Sequence, residues 1–262
     1  MTDWKVQAAS RLTLEQLLAD GFSTPFDAPT VPAFPFTFRN AEVMTLAWRS
    51  DKDAIQRILP PPLEAASDVV LAHIYKMNDT EWLGPYFESN IMVGCRYKDT
   101  AGGYSPYLFL SSDGGVVHGR EVHGQPKKLG RPHLEAKGDA WVGTIERNGI
   151  DVLTGTMAYK QQRSDIKRLA GYFDFALNIN LKAINHIDGT PAIRQLTARR
   201  LGALTVHECW SGPCTVELRP NVQAPVYRLP VREMLEGFWW RADFTLVAGH
   251  VLHDYLASPP SP

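Results

Sequence analysis

Between about Val69 and Leu218 the chain is cut into short β-type runs, each bounded by glycine, proline, aspartate or asparagine, and this punctuation restricts the fold most. Tyr107 to Leu110, Trp141 to Ile145, Val152 to Tyr159 and Thr205 to Trp210 are examples, and Ser211-Gly212-Pro213 reads as a turn joining two strands. Helical patterns interrupt or flank these runs. Thr13 to Asp20 predicts a short helix, with Thr13 and Gln16 matching a capping box, Leu14, Leu17 and Leu18 on one face and Gly21 as its stop. After a proline-rich arm over the surface from Phe26 to Phe38, a second helix begins at Ser50 or Asp51. It directs Ile55, Ile58 and Leu59 inward and ends at Pro60-Pro61-Pro62. Further helices are predicted near Asp165 to Tyr172, Val231 to Glu236 and His250 to Leu256. The whole predicts an α+β, β-rich fold: a strongly curved antiparallel or mixed sheet closing toward a cone-like barrel, with short peripheral helices. With no internal repeat and no dividing linker, residues 1–262 are expected to form one domain.

Charge balance removes whole classes of partner. With 27 lysines and arginines against 28 acidic residues, the net charge of -1 offers no general attraction for nucleic acid or anionic membrane, so a small-molecule partner is expected. Met1-Thr2-Asp3-Trp4-Lys5 is not a basic segment leading into an apolar one, and no apolar run reaches about 18 residues, so a cytoplasmic location is the default expectation. Cys95, Cys209 and Cys214 are odd in number and lack Cys-x-x-Cys spacing, which predicts reduced packing residues. His250-x-x-His253-Asp254 suggests no third ligand, so no metal site is expected. Gln125 follows Gly124 where a phosphate-binding loop needs lysine and then serine or threonine, and no Gly-x-Ser-x-Gly elbow is present.

The chemistry concentrates in Gly119-Arg120-Glu121-Val122-His123-Gly124-Gln125-Pro126-Lys127-Lys128-Leu129-Gly130. An exposed lysine is protonated up to about pH 10.4, so its amine attacks a carbonyl at neutral pH only if burial or a nearby cation destabilises the ammonium. Pro126 stiffens the approach and biases Gln125 toward extended geometry. On an extended segment Lys127 and Lys128 point to opposite faces, so only one enters a given cavity, and desolvation rather than direct ammonium contact is expected to lower its pKa. A carboxylate to serve such an amine is offered by Gly84-Pro85-Tyr86-Phe87-Glu88-Ser89-Asn90, with Glu121 as the other nearby acid and Arg120 beside it.

Gly119-Arg120-Glu121 followed by Pro126-Lys127-Lys128-Leu129-Gly130-x-Pro132 resembles the acetoacetate decarboxylase family. The likeness recurs in order along most of the chain, in Trp48-Arg49-Ser50-Asp51, Leu59-Pro60-Pro61-Pro62-Leu63-Glu64, Tyr86-Phe87-Glu88-Ser89, Gly155 to Lys160, Val206 to Pro213 and Asp254-Tyr255-Leu256. The resemblance implies that Lys127 forms a Schiff base and that Lys128 tunes its pKa; acetoacetate decarboxylase is itself the standard illustration of such an amine. It implies Glu88 as the acid-base residue ahead of Glu121, no external cofactor, a keto-acid substrate and a homo-oligomer. Two departures affect the reaction. The family's decarboxylases would carry an arginine where this chain has Ala41 and a glutamate where it has His73, a pair suited to a substrate carboxylate. Other members of the wider superfamily are aldolase-dehydratases acting on pyruvate and an aldehyde. In that chemistry Gln125, His73 and Arg120 are candidate substrate-binding residues, and Tyr86 and Tyr255 candidate proton-transfer groups. The favoured expectation is aldol condensation and dehydration of pyruvate with an aldehyde through a lysine imine. Acetoacetate decarboxylation is the alternative, and a non-catalytic pocket with Lys127 as a charged anchor for a small ligand is the alternative of another class.

Overall fold

The structure, a computed structural model, describes residues 13–20, 23–26, 28–31 and 33–257. Its strands in chain order are β1 (Phe36–Arg49), β2 (Glu64–Met77), β3 (Asp79–Thr80), β4 (Tyr86–Tyr97), β5 (Thr100–Leu110), β6 (Lys127–Leu129), β7 (Arg131–Lys137) and β8 (Ala140–Arg147). They continue as β9 (Ile150–Ala158), β10 (Gln162–Arg163), β11 (Leu177–Asn185), β12 (Pro191–Arg200), β13 (Gly202–Gly212), β14 (Cys214–Leu218), β15 (Glu233–Leu246) and β16 (His250–Asp254). Short helices α1 (Leu14–Asp20), α2 (Lys52–Ile58), α3 (Asp113–His118) and α4 (Ile166–Ala170) lie among them.

The larger sheet runs β10-β13-β15-β1-β2-β4-β5-β11-β12-β16, with β3 on β1 and β6 on β5, and the smaller runs β14-β9-β8-β7. Most pairs are antiparallel, but β5 pairs with both β6 and β11 in parallel, so the larger sheet is mixed. Among the described strands no ladder joins β10 to β16. Hydrogen bonding therefore leaves two edges rather than closing the cone-like barrel expected from the sequence.

Both faces of the central strands are covered. Val70, Ala72 and Ile74 of β2, with Ile91 and Val93 of β4, meet the smaller sheet through Trp141, Ile145 and Met157. Trp141 stacks on Trp239 with ring centroids 4.8 Å apart, and each ring of that size removes about 150–250 Å² from water. The opposite face places Leu71 and Met92 against Phe175 and Trp240.

Pattern reading misassigned several elements. The helix expected over Val231 to Glu236 runs instead into the start of β15, where Met234, Leu235 and Glu236 are all partly buried and Gly237 to Trp240 fully so; alternation that marks a strand begins only at Arg241. The helix expected from His250 is the strand β16, paired with β12. The proline-rich arm ends earlier than expected, since Phe36 and Phe38 already belong to β1 and are buried. Ser211-Gly212-Pro213 joins strands of different sheets: β13 pairs with β15, whereas β14 pairs with β9.

The first helix spans Leu14–Asp20 with Leu14, Leu17 and Leu18 exposed, and Gly21, expected to stop it, lies outside the described residues. The second buries Ile55, with Leu59 just after it, as the pattern required. No described helix is long and apolar enough to cross a membrane. Cys95 and Cys209 are buried and Cys214 is partly so, and burial pushes their thiols up to about 12, 11 and 12 respectively.

Candidate active site

Strand register gathers the reactive groups. On β4, Glu88 lies opposite Tyr75 and Leu110, and Asn90 opposite His73 and Leu108; Leu108 in turn lies beside Lys127 of β6. Residues paired across a ladder project to the same side, so Lys127, Asn90, Glu88, Tyr75 and His73 share one face. Lys127 Nζ donates to Glu88 Oε2 at 3.2 Å, with the side chains only 9% and 10% exposed. Tyr86 donates its hydroxyl to the same oxygen at 3.3 Å. Lys128, beside Phe109, projects to the other face, where its ammonium donates to the Gln223 carbonyl at 3.0 Å and to Gln223 Oε1 at 3.3 Å.

The turn before Lys127 is shaped to press on its stem. Ser112 caps α3 by accepting from Gly115 N–H, and a π-helical turn over Gly119–His123 follows and ends at Gly124 in the left-handed region, φ 76°. A Cβ on Gly119 would lie 2.4 Å from Lys127 Cδ, 2.7 Å from Cε and 2.9 Å from Gln125 Oε1. One on Gly124 would lie 2.5 Å from Lys182 Cα, so close approach requires both glycines, and the left-handed turn requires Gly124 as well. Arg120 is exposed and donates to the Lys127 carbonyl at 3.3 Å. It braces the backbone and is not placed at the amine, contrary to the substrate-binding role expected for it.

The electrostatics follow from burial. The Lys127 ammonium is held below its ordinary value of 10.5, first by burial; the attraction of Glu88 opposes this, and the repulsion of Arg199 adds to it. Lys128 is not among those causes, so the expected division of labour is corrected: the second cation at this amine is Arg199, from β12. Burial and then Glu88 push the Tyr86 phenol well above 10, which keeps its proton in place as a donor to the carboxylate.

His73 is fully buried and held neutral, at about 3, by desolvation. The Trp240 indole N–H donates to Thr45 Oγ1 at 3.1 Å, and the Thr45 hydroxyl in turn serves His73 Nδ1 at 2.8 Å. That chain gives His73 a packing role, with its ring against Tyr75 and Phe175. Tyr255 is not brought to the site: its hydroxyl donates to the Pro61 carbonyl and its ring packs edge-on against His253. Glu121 is exposed on the π-helical turn, and Ala41 is fully buried in the cluster that contains Tyr86.

Sequence reasoning placed Gln125 here, and the structure shows what holds it. Gln125 Nε2 donates to Asn178 Oδ1 at 3.2 Å, Asn180 Nδ2 donates to the same oxygen at 2.9 Å, and Asn178 Nδ2 donates to Ser105 Oγ at 2.8 Å. Arg199 pairs with Asn178 across β11 and β12 and shares its face. The asparagines and Arg199 were not anticipated; polar side chains at inward positions of otherwise apolar strands were the available signal. Among the described residues no group of histidine, cysteine, aspartate and glutamate side chains is arranged to hold a metal ion.

A desolvated lysine against a buried carboxylate, set on the face of a large mixed sheet, has the electrostatics that an amine nucleophile needs. The family model described as "Acetoacetate decarboxylase (ADC)" matches residues 23–256, and the chain belongs to that family. It is similar to the acetoacetate decarboxylase of Acidiphilium cryptum (strain JF-5), 39% identical over 236 residues, covering 90% of this chain and 96% of that protein. The acetoacetate decarboxylase of Paraburkholderia xenovorans (strain LB400) is 35% identical over 248 residues, covering 95% and 98%.

A solved acetoacetate decarboxylase from Legionella pneumophila subsp. pneumophila str. Philadelphia 1 superposes with a TM-score of 0.85 at 34% identity, covering 96% of this chain and all of that one. The enduracididine biosynthesis enzyme MppR complexed with pyruvate shares the fold, with a TM-score of 0.75 over 90% of this chain and 98% of that one, at 19% identity. The protein is therefore an enzyme of the Schiff-base lyase class. Full-length relatives named as decarboxylases overturn the favoured expectation of aldol condensation and dehydration, which had rested on the departures at Ala41 and His73.

Proposed function

We propose that the protein decarboxylates acetoacetate, or a close β-keto acid, through an imine on Lys127. The observation that carries this reading is the Lys127–Glu88 pair, buried at 3.2 Å with the ammonium destabilised by desolvation. Glu88 accepts the proton that leaves Lys127, and the neutral amine adds to the ketone carbonyl to give a carbinolamine. Protonation of its hydroxyl by Glu88 expels water and leaves a protonated imine. The bond to the carboxylate carbon then breaks, CO2 departs, and the electron pair moves through the new C=C bond to quench the imine cation as an enamine. Glu88, left as a carboxylate when water was expelled, takes up a proton from solvent and delivers it to the enamine carbon, and addition of water to the resulting imine releases acetone and the free amine. The net change is one keto-acid anion plus one proton giving acetone and CO2. Tyr86 holds the carboxylate oxygen that performs these transfers and keeps its own proton throughout.

No external cofactor enters this sequence, because the imine is itself the electron sink. A homo-oligomer acting in the cytoplasm belongs to the same reading, and sedimentation of the purified protein checks the first part. The experiment that tests the reaction is borohydride reduction with acetoacetate, followed by peptide mapping. The adduct is expected on Lys127 with CO2 release in the unreduced reaction; an intact protein that releases no CO2 from acetoacetate overturns the reading.

A further inference from the structure

Arg199, whose charge acts on both Lys127 and Glu88, lines a cavity of about 200 Å³ together with Phe34, His123, Asn180 and Thr197. Arg199 is the unusual member. Its Nε and Nη1 atoms are buried and make no hydrogen bond, although a guanidinium carries five donors in a fixed fork. The next residue shows what an ordinary arginine does here: Arg200 is exposed and binds both oxygens of Asp174, at 3.2 and 2.6 Å. Strand alternation sends the two side chains to opposite faces, Arg200 to the surface and Arg199 to the face it shares with Asn178 and Asn180. His123 Nε2, on the same cavity, is also buried without a partner, and burial holds its imidazole neutral at about 2.

An unanswered buried cation is costly, and such donors are retained where a ligand completes them. Glu88 does not complete them: its hydrogen bonds go to Lys127 and Tyr86, although it lies close enough to attract the Arg199 charge. We infer that Arg199 receives the carboxylate of the substrate, with His123 beside it, and so fixes which side of the keto acid faces Lys127. The ligand class is a short keto-acid anion whose ketone reaches the amine while its carboxylate meets the guanidinium. This rests on the imine reading above and adds to it the residue that selects for an acid over a neutral ketone.

The test compares acetoacetate with acetylacetone, a diketone of similar size that lacks a carboxylate and forms a coloured enaminone with an amine. Each variant is assayed at the plateau of its own pH profile, so that any change in the Lys127 pKa is removed. Arg199→Met is expected to raise KM for acetoacetate about 10- to 100-fold, the loss expected for a charge-assisted pair, while enaminone formation with acetylacetone keeps its half-saturation. Arg199→Lys, which keeps the charge without the fork, is expected to fall between. An unchanged KM for acetoacetate, or equal losses with both compounds, overturns the inference. A wild type that forms no adduct with either compound sinks the imine reading instead, and this inference with it. Thermal melting of both variants keeps a folding defect separate.

Discussion

Lys160 Nζ lies 2.8 Å from Glu208 Oε1, a shorter contact than the 3.2 Å between Lys127 Nζ and Glu88 Oε2, yet the longer contact belongs to the amine proposed to react. Every charge in the Lys160 pair is answered. The Lys160 ammonium sits 4.7 Å from the centre of the Trp239 ring, Glu208 Oε1 also accepts the Trp210 indole N–H at 2.7 Å, and Arg241 approaches the other oxygen at 3.9 Å. The hydrogen bond from Lys160 leads the causes that hold the Glu208 carboxyl below its ordinary value. At Lys127 the balance is reversed: burial outweighs the attraction of Glu88, and Arg199 adds a second unfavourable charge. An opposite charge alone therefore makes an anchor. Reactivity arises where desolvation exceeds what the partner returns.

The sharpest way to break this contrast is to exchange the roles by mutation. Lys127→Ala is expected to reduce CO2 release from acetoacetate to the uncatalysed background and to abolish borohydride trapping, because the covalent electron sink is lost. Retained trapping in that variant, on Lys160 or any other lysine, would show that burial had been misread as the source of reactivity.

Glu88→Gln comes next. Loss of the acid-base group is expected to lower kcat about 10²- to 10⁴-fold. The pH profile carries a second signature whose sign is fixed by the amine: only neutral Lys127 reacts, so kcat/KM is lost as pH falls through its pKa. Glu88 raises that pKa, so its neutralisation should move the acid limb of kcat/KM to lower pH, whereas Arg199→Met should move it upward. A limb that stays fixed in both variants would separate the rate from Lys127 titration.

Gly119→Ala should act on position alone. The new methyl would lie 2.4 Å from Lys127 Cδ, so the stem must move and the amine with it, and a misplacement of about 1 Å costs about a hundredfold in rate. The expected result is a lower kcat for acetoacetate in a protein whose melting temperature is little changed. Full activity would mean that the stem tolerates displacement and that the close approach at Gly119 does not set the position of the amine.

How much of this was legible in the sequence depends on whether a residue's role is set locally or by strand register. Lys127 and Glu88 were readable because each sits in a short signature that resembles the family's; alternation showed only that Lys127 and Lys128 face opposite sides, and the resemblance chose between them. Arg199 and Arg200 form an equally plain twin, but nothing in Thr197-Ala198-Arg199-Arg200 says which one faces inward; the pairing of Arg199 with Asn178 decides it. Tyr255 and Arg120 were misplaced for the same reason: each stands beside a signature block, yet its side chain is used on Pro61 and on the Lys127 backbone. The sheet itself was partly legible. Short runs with clear turns were found, whereas Val43 to Trp48 of β1 and Gly237 to Trp240 of β15 are buried on both faces and carry no alternation to betray them.

The smallest effect is expected at the pair that only anchors. Lys160→Met keeps the apolar stem against Trp239 while removing the ion pair and the cation–π contact, which together stabilise by about 1 kcal/mol at a site of this exposure. The melting temperature should fall by about 2–4 °C. Activity should be unaffected, since Lys160 and its partners join β13 and β15 rather than lining the face that carries Lys127. Differential scanning calorimetry alongside the acetoacetate assay reads both quantities on one sample. A stable variant that had lost activity would reverse the comparison, because it would make the well-answered lysine part of the reacting machinery and leave desolvation at Lys127 insufficient to explain the chemistry.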